Sequence, residues 1–224
     1  DVGDNGWGNK ELQTYTDSRE NSYVVADPDA TGGRALVLKA MRTAGGGYTS
    51  ARLKTHGKFA TGPGVRIEAR LKLPQGQGIW PAFWTLGDNI DQVPWPACGE
   101  IDIVELIGHE PGTLYGTLHG PGYSAGRGVT ASTQLPPGVT FGDAYHVFAV
   151  DWKKDRIDWL LDGQIYHFAT PATIPAGSKW VFDGPPFFLL LNLAVGGLWP
   201  GYPDATTQFP QEYRIDYVRV YRNT

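Results

Sequence analysis

Val65-Arg66-Ile67-Glu68-Ala69-Arg70-Leu71-Lys72-Leu73 alternates apolar and charged residues without a break, the period of a strand with one face in a core and the other in water. Strand-like runs at 35–39, 49–53, 80–86, 100–106, 114–119, 145–152, 156–161, 187–193 and 213–221 surround it, mostly separated by Gly, Pro, Asp or Asn. In Leu160-Leu161-Asp162-Gly163-Gln164-Ile165 the Asp-Gly pair suits a two-residue hairpin turn, which needs positive φ at both positions. With no long helical period to supply crossovers, the pattern predicts an all-β sandwich of two antiparallel sheets packed face to face.

Composition agrees. The 224 residues fit one domain, 1–224, without an internal repeat or linker, and Gly (30), Pro (17) and Trp (8) are plentiful, as in short strands joined by tight turns. The net charge of -4 supplies no basic stripe, so nucleic acid is not an expected partner. The longest apolar run, at 187–191, is far short of the ~18 residues that cross a bilayer, so no membrane partner is expected. One cysteine, Cys98, excludes an internal disulfide framework and leaves the redox compartment open. The chain opens at Asp1 with neither Met nor a leader, so location has to be inferred from function.

The chemistry concentrates in Gly99-Glu100-Ile101-Asp102-Ile103-Val104-Glu105-Leu106. On a regular strand Glu100 and Asp102 face one way and Glu105 the other. A one-residue bulge at Ile103-Val104 restores Glu105 to the face of Glu100 and Asp102. Retaining glycoside hydrolysis needs two carboxyl groups about 5 to 5.5 Å apart, one as nucleophile and one as acid and then base. Asp102, between them, is expected to bond the nucleophile and to help keep the acid protonated. Read alone, Glu-x-Asp-x-x-Glu also describes a solvated acidic face. Trp80-Pro81-Ala82-Phe83-Trp84 and Trp95-Pro96 shift the reading toward a carbohydrate cleft, because indole faces stack on sugar rings.

Segments 7–16, 49–55, 68–74, 80–84, 95–105, 191–197 and 216–221 together resemble glycoside hydrolase family 16, and within it the laminarinase-like endo-1,3-β-glucanases. The resemblance implies a concanavalin A-like β-jelly-roll sandwich with a concave substrate cleft, Glu100 as nucleophile, Glu105 as acid/base and Asp102 as helper. It also implies sugar contacts from Asn9, Arg52, Trp80, Trp84, Trp95, His119 and Asn192. Trp199-Pro200-Gly201 and Gln208 suit the cleft rim and simple loop packing equally well. The longer Glu-x-Asp-x-x-Glu spacing is that of laminarinase-type members. Lys10 departs from the family, which often has a second Asn there, and puts one subsite contact in question.

No cofactor is expected in the chemistry, whereas a structural Ca²⁺ is, held by Asp216 and a carbonyl near Gly33; oxygen ligands suit that hard cation. The expected activity is endo-hydrolysis of laminarin-like β-1,3-glucan by a secreted monomer. The alternatives are a mixed-linkage β-1,3-1,4-glucanase or another polysaccharide hydrolase of the same fold, and a non-catalytic glucan-binding module. Trp152, Trp159 and Trp180 match no site motif and are assigned to the core.

Overall fold

The computed structural model describes residues 1–222. Its strands are β1 (Gln13–Tyr15), β2 (Ser22–Ala26), β3 (Arg34–Arg42), β4 (Tyr48–Ser50), β5 (Arg52–Lys54), β6 (Ala60–Thr61), β7 (Val65–Lys72) and β8 (Ile79–Gly87). They continue as β9 (Glu100–Glu105), β10 (Thr113–His119), β11 (Val129–Gln134), β12 (His146–Lys153), β13 (Arg156–Leu161), β14 (Gln164–Ala169), β15 (Phe187–Val195) and β16 (Gln211–Arg222). Two short 3₁₀ turns, Gly6–Gly8 and Ala125–Arg127, are the helical elements among the described residues.

A nine-stranded sheet runs β1-β4-β3-β16-β7-β12-β13-β14 with β2 beside β3, and a seven-stranded sheet runs β11-β10-β9-β8-β15-β5 with β6 beside β15. The opening stretch, β7, is central in the larger sheet between β16 and β12. Ile67, Ala69 and Leu71 enter the core. The charged face is less wet than its alternation suggests: Glu68 is buried under Tyr217, Arg66 pairs with Asp151, and Arg70 pairs with Asp216.

Between the sheets, Phe148, Trp152, Ile157 and Trp159 of the larger meet Phe83, Ile101, Val104, Leu114 and Leu193 of the smaller. Trp152 and Trp159 are fully buried and Trp180 packs partly buried against this cluster. At the Asp162-Gly163 turn both residues have positive φ, 48° and 82°, and Leu161 pairs directly with Gln164.

The two-sheet, largely antiparallel sandwich is as expected, with two local departures. The sheets are not wholly antiparallel, because β1 lies parallel to β4, Gln13 beside Tyr48; the intervening β2–β3 hairpin supplies the long connection a parallel pair requires. The run 49–53 is not one strand. The chain leaves the larger sheet after Ser50, turns at buried Ala51 and joins the smaller sheet at Arg52. That switch carries Arg52 to the outer face of the smaller sheet, where the functional groups gather.

Candidate active site

Strand β9 is bulged where the glutamate spacing requires it. On β10, Tyr115 opposes Glu105 and Thr117 opposes Asp102, so the single residue Gly116 faces both Ile103 and Val104. On β8, Phe83 opposes Val104 and Trp84 opposes Asp102, leaving Ile103 as the extra residue. Ile101, Ile103 and Val104 are all buried in the core. Glu100, Asp102 and Glu105 thereby line one cleft of about 1020 Å³.

The bulge is fixed from behind. Trp159, from the opposite sheet, donates its indole N–H to the Asp102 carbonyl at 2.8 Å. The ring passes so close to β10 that a Cβ on Gly116 would lie 2.5 Å from Trp159 Cδ1 and 2.5 Å from the Tyr166 hydroxyl. Only glycine leaves that space.

Two of the three carboxylates accept a hydrogen bond from the cleft wall. Trp95 donates to Glu100 Oε2 at 2.7 Å and Trp80 donates to Glu105 Oε1 at 3.2 Å. His119 stands beside Glu100 in register, its Nε2 3.2 Å from Asp102 Oδ2 and 3.8 Å from Glu100 Oε1. Trp84 donates to Asn192 Oδ1 at 2.7 Å, and Asn192 donates to the Tyr15 hydroxyl at 3.1 Å. Arg52 lies over the rings of both Trp7 and Trp84, 4.8 and 4.9 Å from their centroids. Asn9 donates to Glu11, which also accepts from Gln13 and Tyr15.

All seven sugar-contact candidates, Asn9, Arg52, Trp80, Trp84, Trp95, His119 and Asn192, line the same cleft as the three acids. Trp199 does too, edge-on to Trp80 and Tyr115 with 41% of its surface exposed. Gln208 does not; it lines a separate small pocket with Gln75 and His109. Lys10 is not part of the cleft lining. Its φ of 58° is left-handed, a conformation Asn adopts more readily than Lys, so its difference from the family concerns the turn.

Sequence reading missed Trp7, Glu11, Tyr115, Thr117 and Thr130 as cleft residues. Tyr115 and Thr117 had an available signal, since they precede His119 at intervals of two on one strand.

With this geometry in place, the match to known families is direct. The family model "Glycosyl hydrolases family 16" covers residues 11–219. The chain belongs to glycosyl hydrolase family 16. A beta-glucanase of Rhodothermus marinus is 41% identical over 99% of this chain and 78% of its own length. Glucan endo-1,3-beta-glucosidase A1 of Niallia circulans is 37% identical over 97% of this chain, which spans 33% of that protein. The endo-beta-1,3-glucanase structure from Pyrococcus furiosus superposes with a TM-score of 0.90 at 50% identity, over 99% of this chain and 86% of that one. The fold is therefore the family 16 jelly roll.

The electrostatics of the family 16 cleft follow from crowding acids away from water. Burial, then the Asp102 charge, pushes Glu100 up to about 8, against the pull of His119 and Trp95. Burial likewise raises Asp102 to about 7, and a hydrogen bond from Glu100 partly offsets it. Glu105 is held well above the usual carboxylate range by burial and by the charges of Asp102 and Glu100. Three such groups cannot all ionise near neutrality. The short Trp95 bond and adjacent imidazole favour negative charge on Glu100, whereas the longer Trp80 bond leaves Glu105 the better place for a proton.

Asp216 lies at a second bulge, between Ile215 and Tyr217 of β16. Its Oδ2 accepts from the Thr31 N–H, the Thr31 hydroxyl and Arg70. Thr31 and Gly33 share one turn, closed by the Asp27 N–H donating to the Gly33 carbonyl. Among the described residues no protein group donates to Asp216 Oδ1. The Asp216 side chain is 2% exposed, and a carboxylate oxygen is the hard type of donor that Ca²⁺ takes.

Proposed function

We propose that Glu100 attacks the anomeric carbon of a β-1,3-linked glucosyl unit while Glu105 protonates the departing glycosidic oxygen. Glu105 then takes a proton from water, which releases the sugar from Glu100 with net retention. The observation that carries this reading is the β9 bulge, which gathers two glutamates and Asp102 in a cleft walled by Trp80, Trp84, Trp95 and Trp199. Asp102 and His119 set the charge on the nucleophile, and the indoles offer faces to successive sugars.

The activity is that of an endo-1,3-β-glucanase acting on laminarin-like glucan. Secretion as a monomer belongs to the same reading, since a polymeric substrate is met outside the cell. Asp216 Oδ1 and the Gly33 carbonyl would hold a Ca²⁺ that braces the turn against β16 and takes no part in the chemistry.

The test is reducing-end release from laminarin, lichenan and agarose. Laminarin is expected to be cleaved fastest, and Glu100→Gln and Glu105→Gln are each expected to lower its cleavage by at least ~10³-fold. A loss within ~10-fold, about 1.4 kcal/mol, is too small for a nucleophile or its acid and would refute the assignment. Strong cleavage of lichenan or agarose beside negligible laminarin cleavage would move the substrate, and glucan binding without any cleavage would make the chain a recognition module.

A further inference from the structure

The geometry points to a divalent-metal site on Glu100, Asp102 and His119 that accepts a borderline transition ion of the Zn²⁺ class and, when filled, blocks the nucleophile. One ligand atom from each residue lies within 4.8 Å of the other two. The 3.2 Å between His119 Nε2 and Asp102 Oδ2 matches the ~3.3 Å edge of a tetrahedron built on zinc bonds of ~2.0 Å. Glu100 Oε1, 3.8 Å from the same nitrogen, needs to close by only about half an ångström to reach that edge.

An independent observation marks the centre as a ligand position. Asp102 is 3% exposed, and its Oδ2 has no hydrogen-bond partner despite the neighbouring imidazole, which is close but not aligned to donate. A buried carboxylate oxygen left in that state costs stability unless something occupies it. The donor set of one imidazole and two carboxylates favours Zn²⁺ over the all-oxygen preference of Ca²⁺ and Mg²⁺. All three residues line the cleft, which leaves room for water to complete the coordination.

His119 Nδ1 is buried without an acceptor. A metal-bound imidazole lacking that outer partner loses roughly 10–100-fold in affinity, so the ion is a reversible occupant and not a structural one. Once bound it holds the lone pair on Glu100 that the attack requires; this blocking step rests on the hydrolytic reading, whereas binding does not.

Calorimetric titration of the whole chain with ZnCl₂, with MgCl₂ and CaCl₂ in parallel, tests the site without any glucan. One saturable Zn²⁺ site is expected, weakened at least 10-fold in both His119→Ala and Asp102→Asn, with folding of each checked by circular dichroism. Laminarin cleavage by the parent is expected to fall as that site fills and to be unaffected by Mg²⁺ at the same concentration. No saturable Zn²⁺ binding, or affinity within 2-fold of the parent in both variants, overturns the site. Saturation that leaves cleavage intact overturns the block.

Discussion

Trp159 Nε1 donates a 2.8 Å hydrogen bond to the main-chain carbonyl of Asp102, joining a core residue of the nine-stranded sheet to the middle of β9 in the other. The carbonyl belongs to the residue just before Ile103, where the ladder on both neighbours slips by one. A bulge leaves backbone groups without regular ladder partners, and a buried one needs a donor from elsewhere. Trp159 is that donor. Fully buried, it reaches the cleft only through Asp102, so on the proposed mechanism it is a positioning residue.

Trp159→Phe keeps most of the ring volume and removes the donor. Leaving the Asp102 carbonyl unpaired in the core is expected to lower stability by about 1–3 kcal/mol, read by denaturant unfolding. Because the same change lets the bulge relax, kcat on laminarin is expected to fall more than KM rises. Lost stability with kcat unchanged would confine Trp159 to packing.

The crowded acids make a second expectation, about stability against pH. Glu100 titrates near its ordinary 4.5 when unfolded and at about 8 when folded, so between those values the folded state holds more protons. Stability therefore falls as pH rises through that window, and Asp102, raised to about 7, adds to the trend. Glutamine cannot ionise. The melting temperature of Glu100→Gln, relative to the parent, is expected to be higher at about pH 8 than at about pH 5. A difference that stays constant or reverses between the two pH values would contradict the cleft electrostatics.

How much of this was legible in the sequence depended on whether the signal was local. The alternation at 65–73 and the Asp-Gly turn identify β7 and the β13–β14 hairpin because each is encoded by neighbours in the chain. The bulge was legible for the same reason: Glu100 and Glu105 differ in parity, and only an inserted residue reconciles them. Strand β11, Val-Thr-Ala-Ser-Thr-Gln, was missed because its inward positions are small or only half-buried and give a weak period. The clamp was missed because Trp159 and Asp102 are 57 residues apart, and a core assignment for Trp159 says nothing of where its N–H points. Trp7 reaches the cleft through a left-handed residue, φ 49°, in a short 3₁₀ turn that no periodicity marks.

Calcium supplies a third expectation. If Asp216 and the Gly33 turn hold Ca²⁺, excess metal at ~100 times its dissociation constant stabilises the fold by about 2.7 kcal/mol, and EDTA is expected to lower the melting temperature by roughly 5–10 °C. Added Ca²⁺ should restore it, and Asp216→Asn should lose the response. A melting temperature indifferent to both reagents would show that Arg70 and Thr31 alone satisfy Asp216.

The central claim is that Glu100 forms a covalent bond to the sugar, which Glu105 then helps water to break. Proton NMR of the first reducing ends released from laminarin, recorded before mutarotation, measures this most directly. Two inversions at one carbon give the β-anomer first, and that is the expected spectrum. An α-anomer as the first product would mean that water attacks directly, and Glu100 would not be a nucleophile.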